Sequence, residues 1–212
     1  ESYRLQSQGR NTPFRYYKTP HIVLSGADVR EKLGILPTSK VVVYYANVVW
    51  DSTAIGLDTC FSNSGEVAEY LLKLLAGKDG FHLVIKPHPG EVSVPYHLKT
   101  QIKLIDRLRH IPECSAANVS VVEEDEGVTS YDLLQLADFN VVYTSTLGLE
   151  IAMLGFRPIV CAKPYYSNKG FTLDMTRKED LRDYLTSEEN INCLNESEIG
   201  LAFKVAKLTR FD

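Results

Sequence analysis

The chain has 212 residues, 44% hydrophobic and 24% charged, with 13 Gly and 9 Pro, a composition that excludes disordered, collagenous and coiled-coil chains. At this length folding buries roughly 70% of the surface that the unfolded chain exposes, so one sizeable core is expected without disulfides or metal. Lys plus Arg number 23 and Asp plus Glu 27, a formal charge of −4, which argues against a nucleic-acid reader or a binder of anionic membranes.

The chain opens at Glu1 rather than Met and runs into the polar stretch Gln6-Ser7-Gln8-Gly9-Arg10, which reads as a segment cut from something longer. Residues 1–36 are expected to be a lead-in or linker and residues 37–212 the folded domain. The first strong signal is the apolar run Val41-Val42-Val43-Tyr44-Tyr45-Ala46, short, β-branched and aromatic, as in a strand buried on both faces. Asn63 and Glu66 stand at capping-box spacing before Val67, Tyr70, Leu71, Leu74 and Leu75 at helical period, and Gly77 closes that helix.

The alternation then repeats. A strand at His82-Leu83-Val84-Ile85 is followed by a helix carrying Leu98, Ile102, Ile105 and Leu108, and by a strand at Val119-Ser120-Val121-Val122. Ser130 is expected to cap a short helix with Leu133, Leu134 and Ala137 inward. A strand over 139–143, a helix over 146–154 ended by Gly155, and a strand over 158–162 come next. Capping-box spacings at Thr176 to Glu179 and Asn195 to Glu198 predict two C-terminal helices, with Leu181, Tyr184 and Leu185, then Ile199, Ala202, Phe203 and Ala206, inward. Cys60, Cys114, Cys161 and Cys193 lie far apart, with no CxxC pair or nearby His at ligand spacing. They read as reduced thiols of a cytoplasmic protein, and no metal is expected. The Asn-x-Ser sites at Asn118 and Asn195 read as coincidence, since nothing resembles a signal peptide or a bilayer-spanning run.

Strands alternating with helices build βαβ units, so the expected fold class is α/β, a doubly wound Rossmann-like parallel sheet. Ligands of such sheets bind outside the carboxyl ends of the strands, which makes the strand-end segments the place to look for function. After the first strand, Asn47-Val48-Val49-Trp50-Asp51-Ser52 is either a ligand-facing loop or a turn in which Asn47 and Asp51 satisfy local amides. After the second, Lys86-Pro87-His88-Pro89-Gly90-Glu91 fixes one imidazole between two prolines, suited to phosphate contact or, alternatively, to tying down the turn. After the third, Glu123-Glu124-Asp125-Glu126 has no metal-loop spacing and reads as a solvated loop.

After the fourth, Tyr143-Thr144-Ser145-Thr146-Leu147-Gly148-Leu149-Glu150 passes directly from strand into helix. Amides and hydroxyls gathered at a helix start suit a phosphate, Gly148 permits close backbone approach, and Glu150 stands where a carboxylate can accept from ribose hydroxyls. The plainer reading is a Thr cap with Glu150 complementing the helix dipole. After the fifth strand, Lys163-Pro164-Tyr165-Tyr166-Ser167-Asn168-Lys169-Gly170-Phe171-Thr172 is either a cover for a charged sugar or an exposed connection.

Together, Asn47-Val48-Val49-Trp50-Asp51, Lys86-Pro87-His88-Pro89, the segment 143–150 and Tyr166-Ser167-Asn168-Lys169-Gly170-Phe171-Thr172 resemble the capsule polysaccharide biosynthesis glycosyltransferases. The likeness spans residues 41 to 174 and is to the C-terminal, donor-nucleotide-binding half of a Kdo-transferase-like, GT-B-type enzyme. The His-Pro pair with a later Ser-Thr pair is also similar to bacterial sialyl- and polysialyltransferases, which likewise use CMP-sugars. The resemblance implies a CMP-linked donor such as CMP-Kdo, used as substrate with no further cofactor. It places His88 on the nucleotide or its phosphate, Ser145 and Thr146 on the phosphate, Glu150 near the ribose and Lys169 facing the donor sugar's carboxylate, and Gly148, read above as permitting close backbone approach, counts with the nucleotide-binding residues. Asn47, Asp51, Lys86 and Lys169 become donor-sugar or loop contacts.

The family's second nucleotide-fold domain, which supplies acceptor contacts and often the catalytic base, has no counterpart in these residues, so no catalytic residue is assigned. The implied partners are the nucleotide sugar, a glycan or glycolipid acceptor, that N-terminal domain and a capsule assembly at the cytoplasmic face of the inner membrane, with no nucleic acid. Other readings stay open: a UDP-sugar transferase, a sugar-nucleotide 2-epimerase, a teichoic-acid-type glycerophosphotransferase, or a non-catalytic nucleotide-sugar-binding scaffold module.

Overall fold

Residues 24–48, 56–91, 103–123, 126–188 and 192–210 are described by the structure, a computed structural model. At its centre is β1 (Lys40–Tyr45), in which Val41, Val42, Val43 and Tyr44 are all fully shielded from solvent. Shielding on both faces is why this run shows no polar alternation. On one side β1 pairs with β2 (Phe81–Lys86), and β2 with β3 (Val119–Val121). On the other it pairs with β4 (Phe139–Val142), followed by β5 (Pro158–Val160) and β6 (Leu173–Asp174). All pairings are parallel, and the order β3-β2-β1-β4-β5-β6 is that of a doubly wound Rossmann-like sheet.

Helices cover both faces. Val42 and Tyr44 point to the layer formed by α2 (Ser64–Leu75) and α3 (Leu104–Leu108), which carries Leu71, Leu72, Leu75 and Leu108. Val41, Val43 and Tyr45 point the other way, to α4 (Ser130–Leu134) and α5 (Leu147–Met153) with Leu133, Leu149 and Ile151. C-terminally, α6 (Lys178–Thr186) joins the first layer through Leu181 and Leu185, and α7 (Glu196–Arg210) joins the second through Ala202 and Ala206. Each fully buried aliphatic side chain stabilises this arrangement by about 1.5–3 kcal/mol of transfer free energy. Within the expected lead-in, α1 (Gly26–Lys32) packs Val29 into the second layer, and Leu24 N donates to Asp132 Oδ1 at 2.7 Å.

Local details differ from the sequence expectations in informative ways. Asn63 caps α2, accepting from Glu66 N at 3.0 Å, but the Glu66 carboxylate reaches back to Ser62 N at 2.6 Å, one residue before the cap. The cap of α4 is Thr129 rather than Ser130, because Asp132 completes a capping box with it. Before α6 the box lies one residue later than expected: Asp180 rather than Glu179 accepts from Thr176 Oγ1 at 3.0 Å and Arg177 N at 2.9 Å. Asn195 and Glu198 pair as anticipated, at 2.9 and 3.0 Å. Gly77 and Gly155, at φ 69° and 90°, end α2 and α5 in the left-handed region that helix ends favour.

The strand expected over 158–162 stops at Val160, since Ala162 turns to pair antiparallel with Asp58. Strand β6 went unanticipated, being two residues long and only half-buried. Leu98 and Ile102, expected on one helix with Ile105 and Leu108, lie outside the described residues.

Candidate functional site

The strand order reverses between β1 and β4, with the connections leaving toward opposite faces, so the crevice of this sheet opens at the carboxyl ends of these two strands. Their ends are braced to one another. Asn47, buried just past β1, accepts from Thr144 N through its Oδ1 at 3.2 Å, spanning the reversal. The Asn47 backbone is anchored in turn, its N–H donating to Ser64 Oγ at 2.9 Å. Ser64 opens α2 and is bonded at 2.7 Å to the hydroxyl of Tyr44, which also donates to Ser64 O. A run of bonds from α2 through β1 to β4 therefore sets the spacing of the crevice walls. Tyr44 stays a neutral phenol, since burial pushes its ionisation well above the ordinary range.

The β2 end supplies Lys86 and His88. Lys86 is buried, and its ammonium donates to Val122 O at 3.2 Å and Glu123 O at 3.3 Å, the carbonyls just past β3. Hydrogen bonds of this kind make a buried ammonium tolerable. His88 is half-buried in a tight turn where its Nδ1 accepts from Gly90 N at 2.9 Å and its carbonyl from Glu91 N at 2.9 Å. With Nδ1 acting as acceptor, the neutral ring carries its proton on Nε2, which makes that nitrogen a donor. A side chain on Gly90 would place Cβ 2.8 Å from His88 Nδ1 and 3.3 Å from Val48 Cγ1, so this turn requires glycine. Glu91 is buried and accepts from Leu104 N at 3.1 Å, tying the turn to the start of α3; burial raises its ionisation.

At the β4 end three hydroxyls follow one another from floor to rim: Thr144 is buried, Ser145 half-buried and Thr146 exposed. Thr146 makes no side-chain cap bond, and Ser145 Oγ accepts from Leu147 N at 3.3 Å. Tyr143, buried beside them, donates to the Asp58 carboxylate and to Phe61 O at 3.2 Å. Burial, and then the Asp58 carboxylate, push the Tyr143 phenol up, so it remains a donor. Asp58 is an exposed carboxylate at this edge, 85 residues from Tyr143 in sequence. Sequence reasoning missed it, because neither residue stands in a motif that names the other.

Asn47, Lys86, His88, Ser145 and Thr146 are thus brought to one carboxyl edge. Gly148 and Glu150 sit deeper. A Cβ at Gly148 would lie 2.3 Å from the Tyr166 hydroxyl and 2.8 Å from its ring, so the glycine makes room for that fully buried phenol, which donates to Ser145 O at 2.5 Å. Glu150 is 2% exposed and accepts from the Tyr131 hydroxyl at 2.8 Å, joining α5 to α4. Lys169 is exposed in the 163–172 connection, beside Asn168, whose N–H donates to Asp174 Oδ2 at 3.2 Å at the end of β6. That connection is anchored through its core residues Tyr166 and Phe171. Asp51 and Trp50 lie outside the described residues. Among the described residues no cluster of His, Cys, Asp and Glu could hold a metal ion, and no helix is long and apolar enough to cross a membrane.

No family model matches the chain, and no curated protein does. Among solved structures it is similar to Thermosulfurimonas dismutans KpsC, beta Kdo 2,7 transferase, at 21% identity and a TM-score of 0.45, covering 84% of this chain and 51% of that one. It is also similar to Thermosulfurimonas dismutans KpsC, beta Kdo 2,4 transferase, at 20% identity and a TM-score of 0.45, covering 79% of this chain and 44% of that one. The chain spans about half the length of these structures.

Proposed function

We propose that this domain binds the nucleotide of an activated sugar, CMP-linked such as CMP-Kdo, as the donor half of a glycosyltransferase that builds bacterial capsule or surface polysaccharide. The observation that carries the reading is the braced carboxyl edge at the β1/β4 reversal, where Asn47 holds the main chain of Thr144 and three successive hydroxyls follow. Ser145 and Thr146 are the phosphate-facing groups, and His88, fixed by Gly90 with Nε2 as its donor, binds the same anion or the nucleoside. The choice of CMP rests on the motif resemblance.

Groups already oriented before the reaction stabilise the negative charge that develops on the departing nucleotide phosphate, without reorganising during the step. The acceptor, a glycan or glycolipid, and the residues that activate it belong in this reading to an N-terminal GT-B-like domain and to an assembly at the inner membrane. Isothermal titration of the chain with CMP, UDP, GDP and CDP tests the proposal, repeated with His88→Ala and Ser145→Ala. Selective CMP binding, weakened in both folded variants, is the expected result. Unchanged affinity in both refutes the site, a preference for UDP moves the reading to a UDP-sugar transferase or epimerase, and failure to bind any of the four overturns nucleotide binding.

A further inference from the structure

Two buried side-chain polar atoms of the described residues have no hydrogen-bond partner, Thr144 Oγ1 and Asp174 Oδ1. The Asp174 carboxylate is already engaged through its other oxygen, which accepts from Thr172 Oγ1 at 2.6 Å and Asn168 N at 3.2 Å, and so has a place in the loop that carries it. Thr144 differs. It is 5% exposed, its amide is taken by Asn47, and its hydroxyl is the one side-chain polar group it has. An orphaned buried hydroxyl is destabilising in a folded protein and needs an explanation. Its position supplies one: Thr144 directly follows β4 at the β1/β4 reversal and is the most buried of the three successive hydroxyl residues there, with half-buried Ser145 and exposed Thr146 next in the chain.

We propose that the Thr144 hydroxyl is a ligand contact, donating a hydrogen bond to a phosphate oxygen of the nucleotide held at this edge. The inference rests on the nucleotide-binding reading above and adds to it a residue that none of the motif comparisons assigns. A phosphate presents only acceptors, so the hydroxyl is the donor and its partner is charged, the stronger kind of hydrogen bond. Asn47 becomes a positioning residue, because it occupies the Thr144 amide and fixes the rotor's base.

The test uses Thr144→Val, which keeps the shape and loses the hydroxyl, and Thr144→Ser, which keeps the hydroxyl. Thermal unfolding without ligand and isothermal titration with CMP and with inorganic phosphate are measured on each. For Thr144→Val the expected result is a melting temperature equal to or above that of the unsubstituted chain, with CMP affinity down about tenfold or more. Thr144→Ser is expected to stay within about threefold of the unsubstituted chain for CMP, since the charged-partner bond is retained. A Thr144→Val chain that binds CMP as tightly as the unsubstituted one overturns this inference alone and leaves the nucleotide reading standing. A lowered melting temperature for Thr144→Val also overturns it, because the hydroxyl would then have a partner inside the fold. If the unsubstituted chain binds none of the nucleotides, both proposals fall together.

Discussion

Replacing Gly148 by Ala isolates the packing that supports the β4 end. The added Cβ would lie 2.3 Å from Tyr166 Oη, 2.8 Å from Cζ and 3.0 Å from Cε2, distances at which something must move. Tyr166 is fully buried among Leu149, Ile151 and Phe171, so its ring has no open direction. Forced overpacking of this kind costs about 1–3 kcal/mol. Loss of the Tyr166 bond to Ser145 O adds about 1 kcal/mol. Against these, Ala is at most about 1 kcal/mol better than Gly in a helix. The net expectation is a destabilisation of about 1–3 kcal/mol. At about 2 kcal/mol the melting temperature falls by about 4–8 °C for a chain of this size. Urea denaturation of Gly148→Ala, Tyr166→Phe and the double variant is the assay. Tyr166→Phe removes the closest contact, so the cycle is expected to show a favourable coupling of about 1 kcal/mol. A Gly148→Ala chain at least as stable as the parent would refute the packing argument and return Gly148 to a role in backbone approach to ligand.

Asn47→Ala leaves the buried Thr144 amide without its acceptor. A stability loss of about 1–3 kcal/mol in urea is expected, together with weaker CMP binding; full retention of both would show that the brace is dispensable. Glu91 gives a pH signature. Burial, opposed by the Leu104 amide and Lys103 and reinforced by Asp106, raises its ionisation above the ordinary value of 4.5. A carboxylate raised in the folded state favours folding while protonated, and this contribution is lost as pH rises through the folded value. Glu91→Gln is therefore expected to be more stable relative to the parent at pH 7 than at pH 4, and urea midpoints at the two values that show the opposite trend would refute the assignment.

Much of the fold was legible because its elements are locally consistent. The run 41–46 is apolar on both faces because β1 is central, and the Leu-rich period of 67–75 is helical because one face of α2 lies on the sheet. Cap positions slipped by a residue wherever two candidate acids or hydroxyls stood side by side, as at Thr129 and Ser130 or Glu179 and Asp180. Which of two neighbours caps depends on where the helix axis docks, a tertiary matter. Strand β6 was invisible for a related reason: two residues carry no period, and only the edge of β5 makes them a strand.

The site divides the same way. His88 between two prolines and the hydroxyl run after β4 stood out because they lie at strand ends, and the alternation of elements says where strand ends gather. The contacts of these residues are made with partners far apart in the chain. Gly148 answers to Tyr166, Glu150 to Tyr131, Tyr143 to Asp58, and Asn47 to Thr144. The sequence by itself determined a parallel α/β sheet and the edge of it that is polar, since periodicity and turn chemistry are local. Only the tertiary structure decided which polar groups at that edge serve the fold and which hydroxyl is left without a partner, because hydrogen bonding inside a protein is settled by what the fold brings within 3 Å or so.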